Sequence, residues 1–353
     1  MKITLIIPTF LQGGMERIMS ELANFWAKEG HSVDIIFLVH HAPFFTIHQK
    51  VNSISMPEFE YKKTLFSKFI YSIRLFFYLR NRIRKFSPDI TLSFGEGYNS
   101  FVLLSTIGLK KSVYISDRSN PLAPLSPMLN FFQKQLYPKA KGIFAQTTFA
   151  KEILYKKTQH SNIILLPNPV KVIEDLNLEK KNIILNVGRL VWEKDQLTLI
   201  RIFNKISNEE WQLHIVGDGP LRSEIENEII KLNLQKKVIL HGSQRNLSKY
   251  FSSAKIFAFT SLSEGYPNAL CEAMAFPLAC ISFDCNAGPR DIIKNDINGL
   301  LITSGDFKKY QKELNKLMNS SKLQNDLKME SIKIIENQTI DRIAHNMMKE
   351  FEK

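Results

Sequence analysis

Three cysteines in 353 residues, Cys271, Cys280 and Cys285, are too few and too oddly spaced for a disulfide framework, and none stands in the C-x-x-C spacing of a zinc site. Free thiols suit a reducing compartment. No stretch approaches 18 uninterrupted apolar residues, which excludes a membrane-spanning helix. The opening run Lys2-Ile3-Thr4-Leu5-Ile6-Ile7-Pro8 is too short for a signal peptide and lacks a small-residue cleavage site, so it reads as a buried first strand. There is no G-x-G-x-x-G, which argues against a dinucleotide cofactor. There is also no Asp-x-Asp, so no carboxylate pair is evident for bridging a metal to a diphosphate.

What is present is a globular composition, 44% apolar and 23% charged, in a chain long enough for two domains. The net charge of +13 is uneven. Residues 1–167 hold 21 Lys and Arg against 10 Asp and Glu, and the rest of the chain is nearly balanced. Such asymmetry points to an anionic partner for the first half: a phosphate-bearing substrate, an acidic lipid surface or nucleic acid. Nucleic acid is not expected, because no binding motif accompanies the charge.

Short apolar runs alternate with amphipathic stretches. Strands are expected at 2–8, 32–39, 89–93, 112–116, 142–146 and 162–166, and then at 182–188, 211–217, 237–241, 255–260, 278–283 and 299–302. Helices include 15–29, 62–86 and 124–137. This rhythm predicts an α/β protein with parallel sheets covered on both faces. Pro167-Asn168-Pro169 cannot continue a ladder and marks a junction. The expected domains are 1–167 and 168–338, two Rossmann-like units facing each other across a cleft. A final helix within 339–353 is expected to pack away from the second sheet. In open α/β sheets ligands bind beyond the carboxyl ends of the strands, so chemistry is sought in the loops that follow them.

Four such loops stand out. After the first strand comes Gln12-Gly13-Gly14-Met15-Glu16-Arg17, where glycines and a helix N-terminus suit either an anion or merely a tight turn. Gly188-Arg189-Leu190 with Lys194 places two cations past a strand end, suited to holding a diphosphate and neutralising its departing charge, or else to solvated surface. Gly217-Asp218-Gly219-Pro220-Leu221 reads as a structural turn. Ser263-Glu264-Gly265-Tyr266-Pro267-Asn268-Ala269-Leu270-Cys271-Glu272 sets one carboxylate in a loop and a second one turn into the following helix, with that helix N-terminus between them.

Glu264 to Glu272 resembles the E-x7-E motif of glycosyltransferase family four, retaining enzymes of the GT-B fold, and the other three loops match that family in order. The stretch Ser282–Ile293, with Asn298-Gly299-Leu300-Leu301 after it, resembles a bacterial subgroup that builds capsule, lipopolysaccharide and lipid-linked oligosaccharides, such as the α-1,4-N-acetylgalactosaminyltransferases. The resemblance implies that Arg189 and Lys194 hold the donor diphosphate, Glu272 the ribose, and Glu264 the transferred sugar. The loop Gly265-Tyr266-Pro267-Asn268, through the backbone N–H groups of its residues other than proline, and Gly14 would face phosphate or sugar, and the loop holding Gln244 would seat the base. It also implies front-face transfer with retention, no cofactor, no metal requirement, a UDP-sugar donor and a lipid-linked or oligosaccharide acceptor. The implied location is cytoplasmic, on the inner face of the cell membrane. Many members carry a His in the first domain; here the stretch reads Ile115-Ser116-Asp117-Arg118-Ser119-Asn120. Arg118 stays protonated and is suited to phosphate or acceptor, Asp117 to accepting a proton, and a simple ion pair between them is equally open.

Residues 61–86 carry Lys62, Lys63, Lys68, Arg74, Arg80, Arg82, Arg84 and Lys85 with no acidic residue, interleaved with aromatics. That mixture suits a helix lying on an anionic membrane, where each cation contributes about 1 kcal/mol, or a crossover helix whose apolar stripe is core. The alternatives to a transferase are a GT-B epimerase or phosphorylase and a non-catalytic membrane- or carbohydrate-binding GT-B protein.

Overall fold

The computed structural model describes residues 1–11, 13–39, 43–57, 65–171, 173–206 and 209–353. They form two compact units, Met1–Pro169 with Ile340–Lys353, and Val170–Thr339.

The first unit is built on seven strands: β1 (Lys2–Ile7), β2 (Ser32–Phe37), β3 (Val51–Ser55), β4 (Ile90–Phe94), β5 (Ser112–Ser116), β6 (Gly142–Ala145) and β7 (Ile163–Leu165). All pair in parallel, in the order β3-β2-β1-β4-β5-β6-β7. Five of the six residues of β1 are buried, as a central strand covered on both faces requires. The crossover helix Gly14–Lys28 buries Ile18, Met19, Leu22, Ala23 and Trp26 on one stripe.

The second unit repeats the plan with β8 (Ile183–Val187), β9 (Gln212–Val216), β10 (Val238–Leu240), β11 (Ile256–Phe259), β12 (Ala279–Asp284) and β13 (Leu300–Thr303), ordered β10-β9-β8-β11-β12-β13 and again parallel. Both units are Rossmann-like, as the alternation of strand and helix implies. Strand order reverses between β1 and β4 in one sheet and between β8 and β11 in the other. Those are the points where loops of neighbouring strands leave in opposite directions and open a crevice.

Two elements escape the sequence pattern. β3 is an edge strand with only Val51 buried and Asn52 and Ser53 exposed, so it lacks the apolar run sought. The helix Glu96–Thr106 buries Asn99, Ser100, Ser105 and Thr106 beside Val102 and Leu103, so it has no polar face to set a period. The 124–137 segment starts as a helix only at Pro127, where the Ser126 hydroxyl accepts from Leu129 N–H at 3.3 Å and Pro127 takes the first turn. The 61–86 helix is described from Leu65 to Phe86; Tyr61, Lys62 and Lys63 lie outside the described residues.

The chain ends by returning to the first unit. In the helix Ile340–Phe351, Ile343, Ala344, Met347, Met348 and Phe351 are buried in the core of that unit. The Phe351 ring lies 4.8 Å from Tyr114, 5.8 Å from Trp26 and 6.0 Å from Phe144, and the Tyr114 hydroxyl donates to the Glu350 carbonyl at 2.7 Å. Phe351→Ala should therefore destabilise the first unit by about 3–5 kcal/mol, read in denaturant titrations from the fluorescence of the neighbouring Trp26.

Candidate active site

In the second unit the loops after β8 and β11 meet at the reversal point. Asn186 of β8 donates to the Ala258 carbonyl of β11 at 2.8 Å, holding the two strand ends together. Past β8 the chain makes a short 3-10 turn, Trp192–Lys194, and Asp195 takes a left-handed conformation with φ 47°. The buried Thr260 hydroxyl donates to the carbonyls of Lys194 and Asp195, 3.1 Å from each, and the Leu262 N–H donates to the Glu193 carbonyl at 2.8 Å. Stapled this way, the two loops set Lys194 Nζ 2.5 Å from Glu264 Oε1. Glu264 is only 8% exposed, and the Lys194 ammonium also lies 5.6 Å from the Phe259 ring centre. Burying a carboxylate this deeply requires such a partner.

Two glycines fix the floor. Gly217, at φ +146°, would bring a Cβ within 1.8 Å of the Gly188 carbonyl oxygen, so no other residue fits there. Gly288, at φ +107°, would bring one within 2.2 Å of Pro267 Cδ, so the loop after β12 supports the Glu264 loop from below. Thr260 and Gly288 were not singled out from sequence. Their roles are contacts between distant loops, and a strand-end threonine or a lone glycine carries no local pattern that would reveal them.

The other expected donor-site residues distribute unevenly. Arg189 is exposed, with no side-chain partner among the described residues, while its carbonyl accepts from Gln196 at 3.0 Å. Glu272 is half-buried in the helix Asn268–Ala275. The N-terminus of that helix has no side-chain cap, and the N–H groups of Gly265 and Tyr266 have no partner among the described residues. The Asn268 N–H, expected to face a ligand, instead donates to the Tyr266 carbonyl at 2.9 Å, because the chain turns tightly at Pro267. The Tyr266 side chain belongs to the core: its hydroxyl donates to Gln338 Oε1 at 2.9 Å and burial raises its pKa well above the usual value. Gln244 is exposed, with its amide turned onto the His241 carbonyl at 2.8 Å.

Gly14, Asp117 and Arg118 belong to the first unit, at the carboxyl ends of β1 and β5. At the glycine loop a carboxylate is already present. Glu16, 9% exposed, accepts from the Thr9 hydroxyl at 2.9 Å, and a Cβ on Gly13 would fall 2.1 Å from Glu16 Oε2. Gly13 is thus explained by Glu16. The ion pair left open between Asp117 and Arg118 does not form. Asp117 accepts from Tyr137 hydroxyl at 2.6 Å, Asn99 at 2.8 Å and Gln133 at 3.2 Å. Burial, opposed by the Tyr137 hydrogen bond, raises its carboxyl to about 6. The Arg118 guanidinium lies 3.8 Å over the Phe94 ring, with Nη1 donating to Asn168 Oδ1 at 2.5 Å, and burial lowers its pKa to about 9. Among the described residues no group of three or more His, Cys, Asp or Glu side chains is placed to hold a metal ion.

Comparison with known proteins decides the class. Residues 12–173 match the family described as Glycosyltransferase Family 4, and residues 171–333 match Glycosyl transferases group 1. An α-1,4-N-acetyl-D-galactosaminyltransferase of Campylobacter jejuni, named for a GalNAc-GalNAc-diNAcBac-diphospho-undecaprenol substrate, is 30% identical over 93% of this chain and 91% of its own. The chain belongs to glycosyltransferase family 4. Solved structures agree on the fold. The lipopolysaccharide outer core galactosyltransferase WaaB, 22% identical, superposes with a TM-score of 0.80 over 100% of this chain and 99% of its own. Alr3699/HepE of Anabaena in complex with UDP, 14% identical, gives 0.80 over 100% of both. The family 4 chain is thus a GT-B protein.

The buried pair gives this glycosyltransferase a testable weak point. Lys194→Ala should cost about 3 kcal/mol, because it strands the Glu264 carboxylate, and Lys194→Ala with Glu264→Gln should recover most of that loss in urea titrations.

Proposed function

We propose that this glycosyltransferase moves a hexose or N-acetylhexosamine from a UDP-sugar to a lipid-linked saccharide in the synthesis of bacterial cell-surface polysaccharide, with retention and without a metal. The observation that carries the reading is the Lys194–Glu264 pair, held at the β8–β11 reversal point beside the exposed Arg189 side chain and the loop that leads into the helix Asn268–Ala275. A donor diphosphate placed there meets Arg189, Lys194 and the Gly265 and Tyr266 N–H groups, which neutralise the charge as the sugar bond breaks. Drawing the Lys194 ammonium onto phosphate loosens its hold on Glu264, whose carboxylate then accepts from hydroxyls of the sugar being transferred. Glu272, one turn along, is suited to the ribose diol. On this reading positioning and charge stabilisation make up the protein's share of catalysis. The donor class is supported by the UDP found with a structural neighbour, and the acceptor class by the lipid-linked substrate for which the Campylobacter relative is named.

The expected measurement is nucleotide release from a panel of UDP-, GDP- and ADP-sugars with total bacterial lipid. One UDP-sugar should turn over, undiminished by EDTA, and Glu264→Ala should lower kcat by at least a hundredfold. No release from any donor by wild type would support the non-catalytic alternative instead.

A second part of the proposal concerns the helix Leu65–Phe86. No helix among the described residues is long and apolar enough to cross a membrane. This one has two apolar stripes. Leu75, Leu79 and Ile83 are buried in the core, whereas Phe66, Phe69, Ile73 and Phe77 are 74%, 62%, 42% and 56% exposed. Arg84 and Lys85 stand exposed at its end. Arg80, counted among the membrane cations from sequence, instead donates to the carbonyls of Ser105 and Ile107 at 3.1 and 2.7 Å and closes the end of the neighbouring helix. Exposed phenylalanines on the more basic half of the chain suit the interface of an anionic bilayer, where the acceptor's lipid lies. Phe66→Ser with Phe69→Ser and Phe77→Ser should abolish co-sedimentation with phosphatidylglycerol vesicles while leaving UDP binding intact. Unchanged sedimentation would remove the membrane assignment.

A further inference from the structure

Arg118 is a half-buried cation with no ion-pair partner among the described residues. A guanidinium has five N–H donors. Here Nη1 has Asn168 Oδ1, while the Nε atom is buried with no hydrogen-bond partner. No carboxylate lies within ion-pair distance of it among the described residues. The two nearest acids in the chain fold are turned elsewhere. Asp117 is held by Tyr137, Asn99 and Gln133, and Glu96 accepts from the Ser119 hydroxyl and, at 3.4 Å, from the backbone N–H of Arg118 itself. Contact with the Phe94 face offsets part of the desolvation and fixes the plane of the group, but leaves its edge donors unused. Holding the Nε donor out of water with no partner is costly unless a ligand completes it.

Its position says what kind of ligand. Phe94, Arg118, Gln146 and Asn168 follow or end β4, β5, β6 and β7, all at the carboxyl edge of the first sheet, where α/β units take their ligands. Gln146 donates to the same Asn168 oxygen at 2.5 Å, so Asn168 is held from two sides and in turn orients the guanidinium. The planar fork of arginine suits two oxygens of one tetrahedral or planar anion. The surrounding half-chain carries the positive surplus that draws phosphate. We infer that Arg118 seats a phosphate group of the acceptor in the first unit. The assignment rests on the glycosyltransferase reading for the word acceptor, and on geometry alone for the anion.

The test is calorimetric titration with inorganic pyrophosphate at about 150 mM salt, a Debye length of about 8 Å that screens loose surface binding. It is done with and without saturating UDP. Wild type should bind pyrophosphate in both conditions, and Arg118→Met should weaken the UDP-saturated binding at least tenfold. UDP affinity should stay within twofold, and the thermal midpoint should not fall, since methionine still covers Phe94 and removes an unpaired charge. Loss of midpoint with pyrophosphate binding unchanged would make Arg118 a structural brace and overturn the assignment. So would absence of pyrophosphate binding to wild type, or tighter binding of glucuronate than of pyrophosphate at this residue. Pyrophosphate binding that depends on Arg118 but vanishes with UDP would transfer the residue to the donor's leaving group. Failure of UDP to bind at all would instead count against the transferase reading, and the titration without UDP would still report on Arg118.

Discussion

A carboxylate that is 8% exposed needs a cation within reach, and at Glu264 the whole architecture of the second unit is arranged to supply one. Lys194 and Glu264 are seventy residues apart and sit on loops that have no reason to meet except that β8 and β11 are neighbours in the sheet. Thr260 and Leu262 then hold the backbone of one loop to the other, and Gly217 lets a third pass beneath at a distance that no side chain tolerates. The pair is therefore a consequence of strand order. Removing the lysine strands the carboxylate, and on the proposed reading it disturbs the donor site as well.

The first unit solves the same problem differently. Its half-buried acid, Asp117, is satisfied by neutral donors from Tyr137, Asn99 and Gln133, and its carboxyl is pushed up to about 6 because desolvation outweighs those bonds. Its half-buried base, Arg118, rests on an aromatic face and is not paired with the acid beside it in sequence. One unit thus carries a compensated pair and the other two separately held charges. A compensated pair is stable without ligand and must be opened to work. Separately held charges stand ready but store an unfavourable desolvation that a ligand relieves.

Much of this was legible in the sequence wherever the signal is local. Buried parallel strands announce themselves as apolar runs, and twelve were placed within a residue or two because each is bounded by glycine, proline or a polar cap. The two-unit plan followed from the β-α rhythm, and the candidate loops from cations and carboxylates placed just past strand ends. What escaped depends on neighbours far away in the chain. β3 is polar because an edge strand has one solvated side, and the Glu96–Thr106 helix has no polar face because it is covered all round. Arg80 looked like one more surface cation, yet it closes the end of another helix. Tyr266 was expected to act through its backbone, and nothing local in the loop sequence showed that its side chain belongs to the core.

The contrast between the two stripes of the Leu65–Phe86 helix bears on why basic and aromatic residues are mixed there at all. A crossover helix needs only one apolar face, and Leu75, Leu79 and Ile83 supply it. A second stripe of four large apolar side chains, left in water, lowers solubility and gains nothing for the fold. Its persistence beside exposed Arg84 and Lys85 is explained if that face leaves water in use, with apolar rings entering the interface and cations meeting headgroups. On that reading the positive surplus of the first half has two separate duties. The surface cations gather the protein to a charged bilayer, where screening by salt weakens them. Arg118, half-buried and fixed against Phe94 and Asn168, recognises one phosphate once the acceptor is within reach, and its partial burial lessens the screening of that contact by the same salt.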